Sequence, residues 1–88
     1  MRIRLFGLDH EKIRQFRANV EEALGKVGVE AAIERVDKID EITMSGVLKT
    51  PALMIGDRIV CEGRIASTEE LAEWIHHAAA ASEAVAVQ

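Results

Sequence analysis

Cysteine, proline and aromatic residues are scarce in this 88-residue sequence, which has one Cys, one Pro and no Tyr. A single cysteine cannot form a disulfide within the chain, which suits a reducing compartment. Aromatic residues make up only 3% of the chain, so an aliphatic core is expected. No apolar run approaches the roughly 18 residues of a membrane span, and the start, MRIRLF, does not resemble a signal peptide. We therefore expect a cytoplasmic protein without a membrane partner.

A run of one charge is also missing. The formal net charge is −4, and acidic and basic residues are interspersed. A nucleic-acid-binding module usually carries a basic face, so we expect no nucleic-acid partner. The neighbouring His76 and His77 point about 100° apart on a helix and cannot share one metal ion. The sequence thus predicts neither a metal site nor a cofactor.

The first half of the chain predicts two strand–helix units. Alternating residues predict a strand over Arg2–Phe6. Apolar residues spaced by three and four then predict an amphipathic helix from His10 to about Val27, with Asp9 as its N-cap. A second strand is predicted over residues 29–36, although part of this segment would also suit a helix. Asp37 offers the N-cap of a short second helix.

The clearest local signal lies in the segment STEE near the end of the chain. Ser67 at the N-cap and Glu70 three residues later form a capping box, which predicts a helix through about Ala80. Residues 81–88 are predicted to prolong this helix and then fray. The length allows one small domain, residues 1–80, followed by this tail.

A β-hairpin is predicted between the second and third helices. Ala52–Ile55 has almost no polar residue and should form a strand buried on both faces. A Gly-Asp turn then leads into a strand over Arg58–Glu62. The resulting order, βαβαββα, predicts an α/β fold in which right-handed crossovers make the first two strands parallel neighbours. We expect a four-stranded mixed sheet with the first and third helices on one face and the second on the other.

This order, with a proline at the start of the third strand, resembles the thioredoxin-like fold in its short, glutaredoxin-sized form. Three segments carry the resemblance: TPALMI (residues 50–55), GDRIVCEG (56–63) and STEELAEWI (67–75). They are similar to segments of small thioredoxin-family proteins sometimes named redox-active disulfide protein 2. The resemblance covers roughly residues 1–77 and implies a cis bond between Thr50 and Pro51, beside the start of the first helix.

The chain departs from that family where relatives carry a Cys-x-x-Cys motif, because those positions hold His10 and Ile13. A helix N-terminus favours a thiolate, which is why the family's dithiol chemistry lies at this place. Without sulfur at these positions, the helix field has no thiol to activate. We therefore expect a degenerate active site, no conventional thiol–disulfide oxidoreductase and no catalytic residue. His10 has no second ligand or orienting partner at helical spacing, which favours an exposed residue at a helix start.

Binding is the leading functional hypothesis. The resemblance predicts a groove that offers unpaired backbone to an extended peptide or protein segment, bounded by four residues: His10, Thr50, Pro51 and Gly63.

Two alternatives stay open. In the first, Cys61 is the reactive thiol of a single-cysteine redox protein. The residue is, however, expected to share a strand face with Ile59 and to pack as a small apolar residue. No neighbour is predicted that would generate its thiolate. The protein could also be a homodimer or complex subunit built on a sheet edge.

Overall fold

The computed structural model describes the backbone of residues 1–87 and the side chains of residues 1–81. Within these residues the elements follow in the order β1 (Arg2–Phe6), α1 (His10–Val27), β2 (Ala32–Val36), α2 (Ile39–Met44), β3 (Ala52–Ile55), β4 (Arg58–Glu62) and α3 (Thr68–Val87). This is the predicted βαβαββα order. The predicted tail, residues 81–88, reaches beyond the residues described with side chains and stays a prediction.

The strands form one four-stranded mixed sheet in the order β2-β1-β3-β4. β1 pairs with β2 in parallel and with β3 in antiparallel, and β3 and β4 form the antiparallel hairpin. The sheet, its parallel first pair and its hairpin are therefore as predicted. Because β1 and β3 are antiparallel neighbours in the centre of the sheet, β1 ends beside the start of β3, next to the start of α1.

Two apolar clusters cover the two faces of the sheet. The larger cluster joins α1 and α3 to one face, and its largest fully buried members include Phe16, Val20, Leu71 and Ile75 together with the strand residues Ile3, Leu5 and Leu53. The smaller cluster joins α2 to the other face: Phe6, Ile42, Val47, Ala52 and Met54. The placement of the helices follows the prediction, and the core is aliphatic apart from two phenylalanines.

The ends of α1 are fixed by local signals that the sequence analysis found. The Asp9 carboxylate accepts the backbone N–H groups of Glu11 and Lys12, which satisfies two of the donors that a helix start leaves free. Gly28 ends the helix at φ 76°, a left-handed conformation that suits glycine. Val29 still donates to the Leu24 carbonyl, so it belongs to this helix end.

That helix end corrects the predicted start of the second strand. Residues 29–31 leave the C-cap as a loop, and β2 begins at Ala32 rather than at residue 29. The predicted N-cap of α2 was also wrong. The first helical hydrogen bond runs from the Ile42 N–H to the Lys38 carbonyl, so Lys38 rather than Asp37 is the N-cap, and its side chain makes no capping bond.

A β-bulge in β4 overturns the expected pairing of Cys61 and Ile59 on one face. Cys61 lies opposite Leu53 and Ile59 lies opposite Met54, so Val60 is the additional residue between them. Leu53 belongs to the cluster under α1 and α3, and Met54 belongs to the cluster under α2. Cys61 and Ile59 therefore face opposite sides of the sheet.

Candidate functional site

The candidate site lies where β1 ends, α1 begins and β3 begins. The Gly7 N–H donates to the Val36 carbonyl at 3.1 Å as the chain leaves the sheet. A Cβ atom at Gly7 would lie 2.8 Å from Ile13 Cδ1 and 3.8 Å from Pro51 Cα. The missing side chain therefore allows Ile13, which is 4% exposed, to pack closely against the strand-to-helix turn.

A small cavity of about 200 Å³ opens at this junction. Five residues line it: Leu8, Asp9, Lys12, Thr50 and Pro51. We call this surface the Thr50 groove. The bond between Thr50 and Pro51 is cis, the isomer that the family resemblance implies. Pro51 is buried against the sheet, whereas Thr50 is exposed.

Hydrogen bonds fix the chain on both sides of Thr50. The Leu48 N–H donates to Glu62 Oε1 at 2.9 Å, and the Gly63 N–H donates to the Pro51 carbonyl at 2.9 Å. Among the described residues, no turn, loop or side-chain hydrogen bond involves the backbone of Thr50. A backbone N–H and C=O without a partner, on an exposed residue, are the groups that an added extended segment pairs with.

Gly63 lies behind the proline rather than in the cavity lining. It has φ 78°, and a Cβ atom there would lie 3.4 Å from Cβ and Cδ of Lys49. The absence of a side chain lets the Lys49 stem lie over the Gly63 backbone while the Gly63 N–H reaches Pro51. Of the four residues predicted to form the groove, Thr50 and Pro51 line it and Gly63 supports it.

His10 lies to the side of the groove, on the β2 side. Its ring is exposed, and Nδ1 lies 3.1 Å from Nη1 of Arg35. Because a guanidinium only donates hydrogen bonds, His10 Nδ1 is the acceptor. A general base is usually oriented by an acceptor such as a carboxylate. The contact observed here is to a cation, so it does not orient His10 as a general base.

Cys61 is buried beneath the helices, at 6% exposure. Its Sγ lies 3.4 Å from the Arg64 carbonyl oxygen. Burial raises the pKa of the Cys61 thiol, and the charge of Arg64 opposes this only in part. A thiolate is the reactive form of cysteine, so this environment disfavours nucleophilic sulfur.

Residues around the site that were not predicted to belong to it include Leu8, Lys12, Arg35 and Glu62. Lys12 could have been inferred, because it follows the predicted N-cap in the first turn of α1. Arg35 and Glu62 come from β2 and β4, and only the register of the sheet brings them near the end of β1 and the start of β3. Leu8 carried no signal beyond its position in the turn.

Other candidate features lie elsewhere. The rings of His76 and His77 are exposed and meet edge to face with centroids 6.0 Å apart. Across the residues with described side chains, no three His, Cys, Asp or Glu residues cluster as metal ligands would. Within the same part of the chain, no helix has the length and apolar character needed to span a bilayer.

Comparison with known families agrees with this geometry. Residues 1–76 match the family model described as thioredoxin domain. The chain belongs to the thioredoxin domain family. It is similar to a protein named thioredoxin from Methanocaldococcus jannaschii, with 39% identity over 71 residues that cover 81% of each chain. It is also similar to a thioredoxin from Methanothermobacter thermautotrophicus, with 28% identity over 71 residues, 81% of this chain and 92% of the relative.

Proposed function

We propose that this thioredoxin-family domain binds an extended peptide or protein segment in the Thr50 groove and performs no dithiol chemistry. The observation that carries the proposal is that Thr50 is an exposed residue whose backbone N–H and C=O have no partner among the described residues. Leu48, two residues before it, is held by Glu62, and Pro51, directly after it, is held by Gly63. A segment pairing with Thr50 would therefore meet a backbone that is already ordered, which lowers the cost of binding.

The proposed absence of dithiol chemistry depends on the residues at the start of α1. By the family resemblance, His10 and Ile13 stand where relatives carry their two cysteines. The 88 residues contain one cysteine, and it is buried in β4. The positive end of α1 would favour a thiolate, but neither His10 nor Ile13 can supply one.

The single-thiol alternative rests on Cys61, and its burial and raised pKa weigh against it. Assembly through a sheet edge is a further alternative, which measuring the molecular mass in solution at several concentrations would test. A reducing compartment such as the cytoplasm suits a chain with one cysteine and is part of the proposal.

The decisive experiment separates the backbone of Thr50 from its side chain. A display library of random decapeptides is selected on the immobilised full chain, and the recovered peptides are then measured against two variants. Thr50→Pro removes the N–H donor, whereas Thr50→Ala removes only the side chain and serves as the matched control. Loss of one intermolecular hydrogen bond should weaken binding roughly three- to tenfold.

We expect Thr50→Pro to weaken the selected peptides and Thr50→Ala to bind them nearly as well as the unchanged chain. Circular dichroism of both variants checks that the fold is intact. Equal binding by a folded Thr50→Pro variant would contradict the proposed role of the Thr50 backbone, as would a library that yields no ligand.

A further inference from the structure

We infer that the Thr50 groove selects extended peptide segments in which an apolar side chain is flanked by Asp or Glu. This inference rests on the proposed function, since it names the chemistry of the segment that the groove would take. It is carried by three observations: the distribution of charge around Thr50, the position of Lys12 in α1, and the apolar residues in and near the cavity lining.

Near the groove, the carboxylates have hydrogen-bond partners, whereas the lysines have no ion-pair partner among the residues described with side chains. The two nearby carboxylates, Asp9 and Glu62, accept backbone N–H groups of α1 and of the loop before Thr50. Lys12 lines the cavity, and Lys49 precedes Thr50 and lies over Gly63. Within the part of the chain described with side chains, neither lysine lies within ion-pair distance of a carboxylate. The groove therefore offers one ammonium group without a carboxylate partner, that of Lys12, and Lys49, the residue before Thr50, carries a second beside it, on a chain whose net charge is −4.

The position of Lys12 does not serve the stability of α1. It is the third residue of a helix that begins at His10. The N-terminal end of a helix carries a partial positive charge, so a carboxylate is favourable there and an ammonium group is unfavourable. The Asp9 carboxylate already occupies the helix start, where it accepts two backbone N–H groups, so Lys12 is the charged group in the cavity lining that remains to attract an anion. A carboxylate of a bound segment would pair with Lys12.

Exposed apolar side chains occur in the cavity lining and close to it in the chain. Leu8 lines it and is 55% exposed, and Leu48, two residues before Thr50, is 87% exposed. Pro51 also lines the cavity and adds an apolar ring to it. A cavity of about 200 Å³ suits one side chain of moderate size. The ligand that satisfies the whole surface is therefore an extended segment with one apolar residue at the cavity and carboxylates at the flanking positions.

The inference is tested with three synthetic decapeptides that differ only in charge. Each carries a fluorophore, a central Leu and flanking residues that are all Glu, all Gln or all Lys. Dissociation constants are measured by fluorescence anisotropy with the full chain at low and high sodium chloride. We expect the Glu peptide to bind about tenfold more tightly than the Gln peptide and the Lys peptide to bind most weakly, with the preference reduced at high salt.

Reversing the charge of single lysines tests whether the preference for acidic peptides arises at the groove. Lys12→Glu and Lys49→Glu should each weaken the Glu peptide about three- to tenfold. The matched control is Lys26→Glu, in the same helix but 14 residues from Lys12, which is about 21 Å along the axis. The control should leave the Glu peptide within about twofold. Because a carboxylate at position 12 suits the helix end, Lys12→Glu should not lower the melting temperature, which separates lost binding from lost folding.

The outcomes distinguish this inference from the proposed function. Equal affinity for the Glu and Gln peptides would overturn the charge preference while leaving peptide binding in place. Equal weakening by Lys12→Glu and Lys26→Glu would overturn the assignment to the groove. Failure of all three peptides, together with failure of the decapeptide library, would overturn the proposed function itself.

Discussion

At the scale of single residues, Cys61 decides between two kinds of function. The sequence suggested a small apolar residue in a strand, and the structure places the thiol in the core beneath α1 and α3. What the sequence did not reveal is the face of the strand that Cys61 occupies, because one additional residue in β4 reverses the alternation. The same bulge moves Ile59 to the opposite face, where it is 36% exposed.

We predict that Cys61 reacts slowly with thiol reagents in the native protein. Its side chain is buried and its pKa is raised by burial, so both access and thiolate formation are limiting. The measurement is the rate of reaction with a disulfide reagent such as DTNB at pH 7, with and without guanidinium chloride. Unfolding should accelerate the reaction roughly tenfold or more, since native labelling requires local opening. Equally fast labelling in native buffer would favour the single-thiol alternative.

At the scale of elements, signals confined to a few neighbouring residues were the most reliable. The capping box of α3 is present as predicted: the Glu70 N–H donates to Ser67 Oγ, and the Ser67 N–H donates to Glu70 Oε1. Glu70 has a further partner, Arg64, which no pattern of neighbouring residues predicted. Arg64 donates two hydrogen bonds, of 2.8 and 2.7 Å, to the two Glu70 oxygens. This geometry joins the exit of β4 to the start of α3.

The paired Glu70 makes the stability of the protein depend on pH. The Arg64 guanidinium, assisted by the Ser67 N–H, lowers the pKa of Glu70 from 4.5 to about 2. A carboxyl group with a lowered folded pKa stabilises the fold fully above its unfolded value, and this contribution is lost as the pH falls towards the folded value. We therefore predict that Glu70→Gln lowers the melting temperature at pH 7 and that the difference narrows between pH 4.5 and 2.

The matched control is Glu69→Gln, because Glu69 lies in the same first turn of α3 and shares the helix field. Thermal melts of both variants across this pH range isolate the pairing with Arg64 from the general benefit of a carboxylate at a helix start. Identical melting temperatures for the two variants at every pH would contradict the assigned role of Arg64.

Element boundaries that depend on competition between neighbouring residues were predicted less well. Asp37 has the preferred side chain for an N-cap, yet α2 starts after Lys38, whose side chain makes no capping bond. Packing explains this outcome, because burial of Ile42 against the sheet orients the six-residue helix more strongly than one capping bond would. The start of the second strand was misplaced for a similar reason. Val29 donates its N–H to the Leu24 carbonyl at the end of α1, so it is not part of β2.

At the scale of the whole molecule, the fold was predictable because independent signals agreed. Strand alternation, two helix starts, a hairpin turn and the crossover rule all specified one arrangement, and the structure has it. The candidate site was predictable only in part. Thr50 and Pro51 followed from the resemblance. Lys49 over Gly63 and Glu62 on the Leu48 amide depend on contacts between β4 and the loop before β3, which a single sequence does not encode as a pattern.

The start of α1 has the backbone position at which a dithiol could still form if cysteines were introduced. Position 10 opens α1 at its positive end, and position 13 lies three residues later against Gly7, so the two are neighbours at the helix start. We predict that the double variant His10→Cys, Ile13→Cys forms an internal disulfide and, when reduced, has one thiol with a pKa below the ordinary 8.5 or so. Replacing Ile13 removes buried apolar volume and should cost about 1–3 kcal/mol of stability.

The measurements are free-thiol counts under oxidising and reducing conditions and the pH dependence of thiol alkylation. The single variant His10→Cys is the control, because it has the helix-start thiol without a partner and should show the lowered pKa alone. If a folded double variant keeps both new thiols reduced under oxidation, the start of α1 differs from a dithiol site in more than its missing sulfur. The comparison of His10 and Ile13 with the cysteine positions of relatives would then fail, and the proposed loss of dithiol chemistry would need another explanation.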